Sequence, residues 1–344
     1  MENFPAPSYQ NENNEQTVSP ETVFIYPPKF QKQEQPGNVW LRSFTSLALY
    51  LILGYYIFPS YKILLLITAI VIIHELGHFF AMKYFRYSDL GIFFIPLLGA
   101  YVSGTKREVS QKQSAIILLA GPLPGIILGV VFYLVDHNSV NGYYPFDISL
   151  SRIALLLILL NLINLLPIYP LDGGQLLNRV FLDEESLLSK VFIFLSAALM
   201  CWAAWKLISS SGNIFYLVVL VFPVMMLLRL RPDRKLDVTE KRIEEEGINA
   251  DTSYEDLPDE DYWKMRNILI EEHSSFKDIP KTPPYEYNHR EEKVMTTIQT
   301  LLHRHVIQDI SVAGKIFIFL LWLSALAAPW LVNMDMSYFS HFGF

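Results

Sequence analysis

Residues 62–84 form an apolar run about as long as the 20 or so helical residues that cross the hydrocarbon core of a bilayer, and near its middle stand His74, Glu75 and His78. Hydrocarbon offers no water to satisfy backbone N–H and C=O groups, so a run of this kind has to be helical. Further apolar runs lie at 43–58, 114–136, 149–168, 189–208, 213–230 and 315–333, which predicts about seven spans, the first one short. Composition agrees, since 52% of the 344 residues are hydrophobic and only 18% are charged. That balance excludes an ordinary soluble enzyme, a disordered chain and a collagen-like one. A nucleic-acid partner is excluded too, because the net charge is -7 and no dense Lys/Arg stripe is available to neutralise phosphates. Cys201, the sole cysteine, cannot form an internal disulfide and reads as a small packing residue.

Positive residues in short loops resist translocation, so their distribution orients the spans. Lys29, Lys32, Arg42, Lys83, Arg86, Lys106, Arg107, Lys112, Arg179, Lys190, Arg229, Arg231, Arg234 and Lys235 collect on one side, against Lys62, Arg152 and Lys206 on the other. The N-terminus, the 85–113 and 169–188 loops and the 231–313 segment are therefore expected in the cytoplasm, with the C-terminus outside. Segment 231–313 holds 12 Lys+Arg against 19 Asp+Glu, so all the net negative charge resides there. Its stretches 251–261 and 280–284 read as loop or linker, while 291–310 has apolar residues at helical spacing and predicts an amphipathic helix. His303 and His305 would face apart on that helix and are read as outside any metal site. Residues 1–42, rich in Asn, Gln, Pro and Glu, read as a mobile cytoplasmic tail with neither a signal nor a transit pattern, which fits a bacterial cytoplasmic membrane. The expected divisions are this tail, a first span at 43–61, a three-span core at 62–175, two accessory spans at 176–230, the acidic insert 231–313, and a C-terminal span with a short tail at 314–344.

The chemistry is concentrated in His74-Glu75-Leu76-Gly77-His78. At 3.6 residues per turn the two imidazoles share one face of the helix, where each can give a nitrogen to one Zn2+, and Glu75 on the adjoining flank can reach a water in an open coordination position. A charged carboxylate at membrane depth costs at least about 2.5–3.5 kcal/mol on insertion scales, so the set needs a functional reason. A catalytic zinc takes a third protein ligand. The fourth span ends Asn164-Leu165-Leu166-Pro167-Ile168-Tyr169-Pro170-Leu171-Asp172-Gly173-Gly174, where two prolines disrupt the helix and two glycines permit a tight turn. The break brings Asp172 to the cytoplasmic end of its span, near the expected depth of His78; as an Asp-Gly dipeptide it could equally be a turn residue.

The two motifs, His74-Glu75-x-x-His78 and Asn164-x-x-Pro167-x-x-Pro170-Leu171-Asp172-Gly173, resemble the paired signatures of the site-2 protease family of intramembrane zinc metalloproteases. The resemblance covers about residues 62–175. It implies an all-α polytopic membrane protein with a three-helix metalloprotease core, one catalytic Zn2+ held by His74, His78 and Asp172, Glu75 as general acid/base, and Asn164 beside the substrate carbonyl. Asn161, one turn earlier, reads as structural. Gly121-Pro122-Leu123-Pro124-Gly125 is similar to a Gly-Pro element of the family's middle core helix. The apolar stretch 92–102, broken by Pro96 and Gly99, resembles a small membrane-associated β-hairpin loop whose edge, Gly99 included, would hold an unwound substrate by strand addition. Only about ten residues separate Ser103 from Ser114, too few for the PDZ domain of one branch of the family.

The expected activity is hydrolysis of peptide bonds within or near the spans of single-span membrane proteins, in contact with the lipid bilayer and with no nucleic-acid partner. A different class, a non-catalytic zinc-binding adaptor or metal carrier, is the rival. A carrier should show polar residues along a path across the bilayer, and a dead adaptor should have lost Glu75 or a ligand.

Overall fold

A computed structural model of the protein describes residues 26–31, 38–58, 60–96, 99–106, 109–137, 148–182, 186–211, 220–229, 234–250, 252–283, 285–302 and 308–334. The chain begins with α1 (Val39–Ile57), whose Asn38 cap accepts from the Leu41 amide at 3.1 Å, and α2 (Tyr61–Tyr84), the apolar run that carries the His-Glu-x-x-His motif. Between α2 and the next helix the expected hairpin is present: β1 (Ser88–Ile95) pairs antiparallel with β2 (Gly99–Thr105), in the register Ile92 to Val102 and Phe94 to Ala100. Gly99 opens β2 at φ 107°, a conformation that a Cβ would strain, which is why the turn uses glycine there. Phe93 and Tyr101 stack across the strands at 5.6 Å, and the Phe94 amide donates to Ser46 Oγ of α1 at 3.1 Å, fixing the ribbon to the first helix.

Ser110 caps α3 (Gln111–Ala120) by accepting from the Gln113 amide, and Gly121 passes the chain into α4 (Pro122–His137). Proline suits the first position of a helix because its missing N–H would find no intrahelical acceptor there. The tightest helix pairing is between α4 and α5 (Leu150–Asn164). A Cβ on Gly125 would lie 2.1 Å from Asn161 Nδ2, and one on Gly129 would lie 2.6 Å from Ile158 Cγ1 and 3.0 Å from the Ala154 carbonyl. Two glycines four apart thus let the helix backbones approach, which is how helices gain dispersion contact where no hydrophobic effect separates protein from lipid.

The chain continues through the short α6 (Asp172–Leu177) and a π-helical turn at Asn178–Leu182 to α7 (Leu187–Ser211), α8 (Val221–Arg229) and, after the acidic insert, α12 (Val312–Leu326) and α13 (Ala328–Leu331). Among the described residues three helical stretches, Tyr61–Tyr84, Gln111–Asp136 and Leu187–Ser210, are long and apolar enough to cross a membrane; Leu150–Asn164 and Val312–Leu326 are apolar but shorter. The architecture is therefore mostly helical with one two-stranded sheet, while the expected count of seven spans goes beyond these helices. The sixth expected span falls partly outside the described residues, which resume at 220. Along α7 the large side chains Leu187, Phe194, Leu195, Trp202 and Trp205 are exposed, the pattern of a lipid-facing helix.

The acidic insert forms its own core. Helices α9 (Arg234–Glu245), α10 (Asp259–Glu272) and α11 (Glu291–Leu301) enclose Ile243, Leu257, Tyr262, Trp263, Leu269 and Ile298. The stretch 251–261, expected to be loop throughout, in fact ends inside α10, because Asp259, Glu260 and Asp261 are first-turn residues that favour the positive end of the helix dipole. Of the helix expected over 291–310 only the first half is seen, as α11, which ends at Leu301 with Leu302 extended and 308–310 not helical; His303 and His305 lie outside the described residues. At the centre Arg266 donates to both carboxylate oxygens of fully buried Glu291, at 2.6 and 3.1 Å, and Tyr262 donates to Oε1 at 2.6 Å. Burial, reinforced by the adjacent Glu291, pushes the Tyr262 hydroxyl far above its usual range and keeps it a donor. Tyr262→Phe should cost this domain about 1.5–3 kcal/mol, the range for a hydrogen bond to a charged group, read as faster amide hydrogen exchange across 259–272.

Candidate metal centre

Three side chains from two separated motifs converge. His74 Nε2 lies 3.0 Å and His78 Nε2 3.2 Å from Asp172 Oδ2, and the two Nε2 atoms are 3.1 Å apart. Both histidines are buried. Their tautomers follow from their other nitrogens: His78 Nδ1–H donates to the Ile117 carbonyl at 2.7 Å, and His74 Nδ1–H donates to Asn161 Oδ1 at 2.8 Å. Asn161 can present only its oxygen there, because its amide nitrogen donates to the Leu157 carbonyl at 2.7 Å. Each Nε2 therefore turns a lone pair inward, toward a carboxylate oxygen that is itself buried without a hydrogen-bond donor.

Three such atoms this close repel one another unless a cation sits between them. Their separations of 3.0–3.2 Å approach the roughly 3.3 Å edge of a tetrahedron with ligands at about 2.0–2.1 Å, so the donor set and its spacing fit a zinc ion with one position left open. Glu75 is buried one residue from His74 and within electrostatic reach of all three groups.

The break that delivers Asp172 is held from several sides. After Asn164 the chain reverses so tightly that a Cβ on Gly173 would lie 2.0 Å from the Leu165 carbonyl oxygen, and one on Gly174 2.3 Å from the Ile168 carbonyl carbon. The backbone groups freed by Pro167 and Pro170 find partners on other helices: Trp322 Nε1 of α12 donates to the Leu165 carbonyl at 2.9 Å, and the Tyr169 amide donates to Ser196 Oγ of α7 at 3.2 Å. The Gln175 side chain donates back to the Pro170 carbonyl at 2.8 Å. Small residues let the motif helix pack closely on the junction of α3 and α4. A Cβ on Gly121 would lie 2.2 Å from His78 Nε2, and one on Gly77 1.9 Å from the Ala120 carbonyl oxygen.

Of the residues expected in the site, His74, Glu75, His78 and Asp172 are brought together, while Asn164 is half-buried one turn after Asn161 and Gly99 lies in the hairpin. Asn161, read as structural, makes an interhelical hydrogen bond to His74 and through it sets the tautomer and aim of that ring. Gly121, Gly125 and Gly129 form a ridge that admits in turn His78, Asn161 and Ile158. The signal was present as three glycines at intervals of four. Asn161→Ala should weaken zinc binding about 10- to 100-fold, the usual cost of losing a partner that orients a metal-ligating histidine, as measured by competition with a chromophoric chelator.

Residues 62–147 match peptidase family M50. A zinc metalloprotease of Methanocaldococcus jannaschii is 27% identical over 164 residues, 47% of this chain and 42% of that protein. Stage IV sporulation protein FB of Bacillus subtilis is 31% identical over 121 residues, 35% of this chain and 40% of that protein. The chain thus spans about two-fifths of the length of these relatives. Among solved structures, the site-2 protease of M. jannaschii aligns with a TM-score of 0.38 at 19% identity, over 55% of this chain and 86% of that one, a likeness too loose to argue from. The family match contains His74, Glu75 and His78 but stops short of Asp172, which is joined to them by geometry alone. With the two motifs complete and their acceptor atoms converged, the chain resembles the site-2 proteases, and its residues 62–147 match peptidase family M50.

Proposed function

We propose that the protein is a zinc-dependent intramembrane endopeptidase that hydrolyses peptide bonds within or near the transmembrane segments of single-span membrane proteins. The observation that carries this reading is the convergence of His74 Nε2, His78 Nε2 and Asp172 Oδ2 within 3.0–3.2 Å beside buried Glu75, on helices long and apolar enough to lie in a bilayer. His74, His78 and Asp172 would hold the ion, and zinc, when bound, supplies Lewis acidity and makes water acidic enough to lose a proton near neutral pH. Glu75 takes that proton on a carboxylate oxygen as water adds to the scissile carbonyl carbon, and returns it to the leaving nitrogen as the C–N bond breaks. Asn161 and the Ile117 carbonyl hold the Nδ1 side of both imidazoles, which keeps each Nε2 aimed at the ion's place. Asn164 donates to the substrate backbone, and the hairpin around Gly99 binds a locally unwound stretch by strand addition. The proposed setting is a bacterial cytoplasmic membrane crossed about seven times, with the N-terminus and the 231–313 insert in the cytoplasm, where water and product exchange over a short path.

Quantitative membrane proteomics of cells expressing the parent or an equal level of Glu75→Gln tests the reading. New peptide ends inside the span of a single-span protein, present only with the parent, are expected. Identical proteomes from two zinc-loaded proteins, with substrates supplied already trimmed outside the membrane, would instead make this a zinc-binding adaptor.

A further inference from the structure

Residues 26–31 precede the first helix and fall within the stretch read from sequence as a mobile tail, yet they are seated on the insert domain more than 200 residues away. The contacts have a consistent character, in that side chains of the domain donate to backbone carbonyls of the segment. Trp263 Nε1 donates to the Pro27 carbonyl at 2.8 Å, the Tyr287 hydroxyl to the Pro28 carbonyl, and the Tyr254 hydroxyl to the Phe30 carbonyl at 2.6 Å. An extended polyproline-type strand has no internal hydrogen bonds and points its carbonyls outward, so it is read by donors of this kind. Pro27 and Pro28 have no N–H to add to a sheet, and each proline also restrains the residue before it to an extended conformation, which lowers the entropy lost on docking.

The surface under the segment is aromatic. Trp263 stacks on Tyr287 at 5.7 Å and 11° and meets Tyr285 edge-on at 5.3 Å, with the Arg266 guanidinium 5.2 Å from the Trp263 ring centroid. The flanking aromatics of the segment fit against it, Tyr26 edge-on to Tyr285 at 5.7 Å and Phe30 edge-on to Tyr287 at 5.4 Å. Lys29 adds donors from the segment's side. Its Nζ donates to the Glu255 and Leu257 carbonyls at 2.6 Å each, and its amide to Asp259 Oδ1 at 2.8 Å. The domain's buried core is built from residues 243–302 alone, with Tyr26 and Phe30 of the segment only partly buried against it and Pro28 and Gln31 exposed.

We propose that the insert domain is a recognition module for extended peptides of the pattern aromatic-Pro-Pro-Lys-aromatic, and that its groove is filled in cis by Tyr26–Phe30. The partner it fits is a protein segment of that same chemistry, which must displace the chain's own. While the cis segment is docked, only residues 31–38 separate it from α1, a reach of at most about 25–30 Å, so its displacement frees the domain from the first helix.

The test uses the full chain in detergent, a form lacking residues 1–31, and a fluorescent peptide with the sequence of residues 23–33. Saturable binding to the shortened chain, at least tenfold tighter than to the parent whose groove is self-occupied, is expected. Replacing both prolines of the peptide by alanine, or its lysine by glutamate, should weaken binding at least tenfold, as should Tyr287→Ala in the shortened chain. The proposal is overturned if the shortened chain binds no peptide while 259–272 stays protected from hydrogen exchange. It is equally overturned if the deletion abolishes that protection, which makes the segment part of the domain's fold, or if the proline-free peptide binds as well. A parent that dimerises and is split by the peptide would place a neighbour's segment in the groove and overturn the cis assignment.

Discussion

Glu75→Gln is expected to keep one zinc per chain while lowering hydrolysis about 10²- to 10⁴-fold, the contribution of a positioned general acid/base. The metal should stay because none of the three converging acceptor atoms belongs to Glu75 and the amide is close to isosteric with the carboxylate. Turnover should collapse because an amide can neither accept the proton of the attacking water nor return it to the departing amine. Zinc content by elemental analysis and cleavage of a reconstituted single-span substrate, measured on the same preparation, decide the matter. Loss of the metal with the activity would make Glu75 a ligand, and unchanged cleavage would remove it from the mechanism.

Gly121→Ala should abolish stoichiometric zinc binding without touching a ligand. The added Cβ would lie 2.2 Å from His78 Nε2 and 2.4 Å from Cε1, so the imidazole has to leave its place. It has no equivalent place to go, since Nδ1 is fixed by the Ile117 carbonyl and Gly77 already holds the helix backbones in contact. Displacing one of the three proposed ligands should weaken the metal more than about 100-fold, beyond the 10- to 100-fold typical of an orienting partner. Equilibrium dialysis against graded free zinc gives the affinity, and an unchanged helical circular dichroism spectrum separates a lost site from a lost fold. Retention of parent affinity would mean that the helices can spread at this crossing, contrary to the close approach at Gly77, Gly121 and Gly125.

Much of the site was legible because its constraints are local. His74, Glu75 and His78 lie within five residues of one helix, and helical geometry alone puts both imidazoles on one face. Pro167, Pro170, Gly173 and Gly174 announce a chain reversal beside Asp172 in the same local way. Pro96 and Gly99 likewise forbid a single helix through 92–102, and a hairpin is found there. The function of Asn161 was not legible, because a buried asparagine in an apolar helix makes an interhelical hydrogen bond in either reading, and only the approach of α5 to α2 identifies His74 as its partner. Trp322 and Ser196 gave no sign either. Their role is to satisfy backbone groups of a break more than a hundred and some thirty residues away along the chain, respectively.

The sequence by itself determined that long segments must be helical, that one of them carries a paired-imidazole motif at membrane depth, and that a proline-broken end presents a carboxylate. These follow from side-chain period, backbone hydrogen bonding in hydrocarbon and proline geometry, all of which act over a few residues. Tertiary structure alone decided which acceptors converge to 3.0–3.2 Å, which tautomer each histidine holds, and that the chain's own Tyr26-Pro27-Pro28-Lys29-Phe30 lies across an aromatic groove formed by residues 254–287. Those outcomes depend on contacts between segments remote in sequence, whose energies arise from close packing and from the cost of leaving a buried polar atom unpaired, and neither exists until the helices have met.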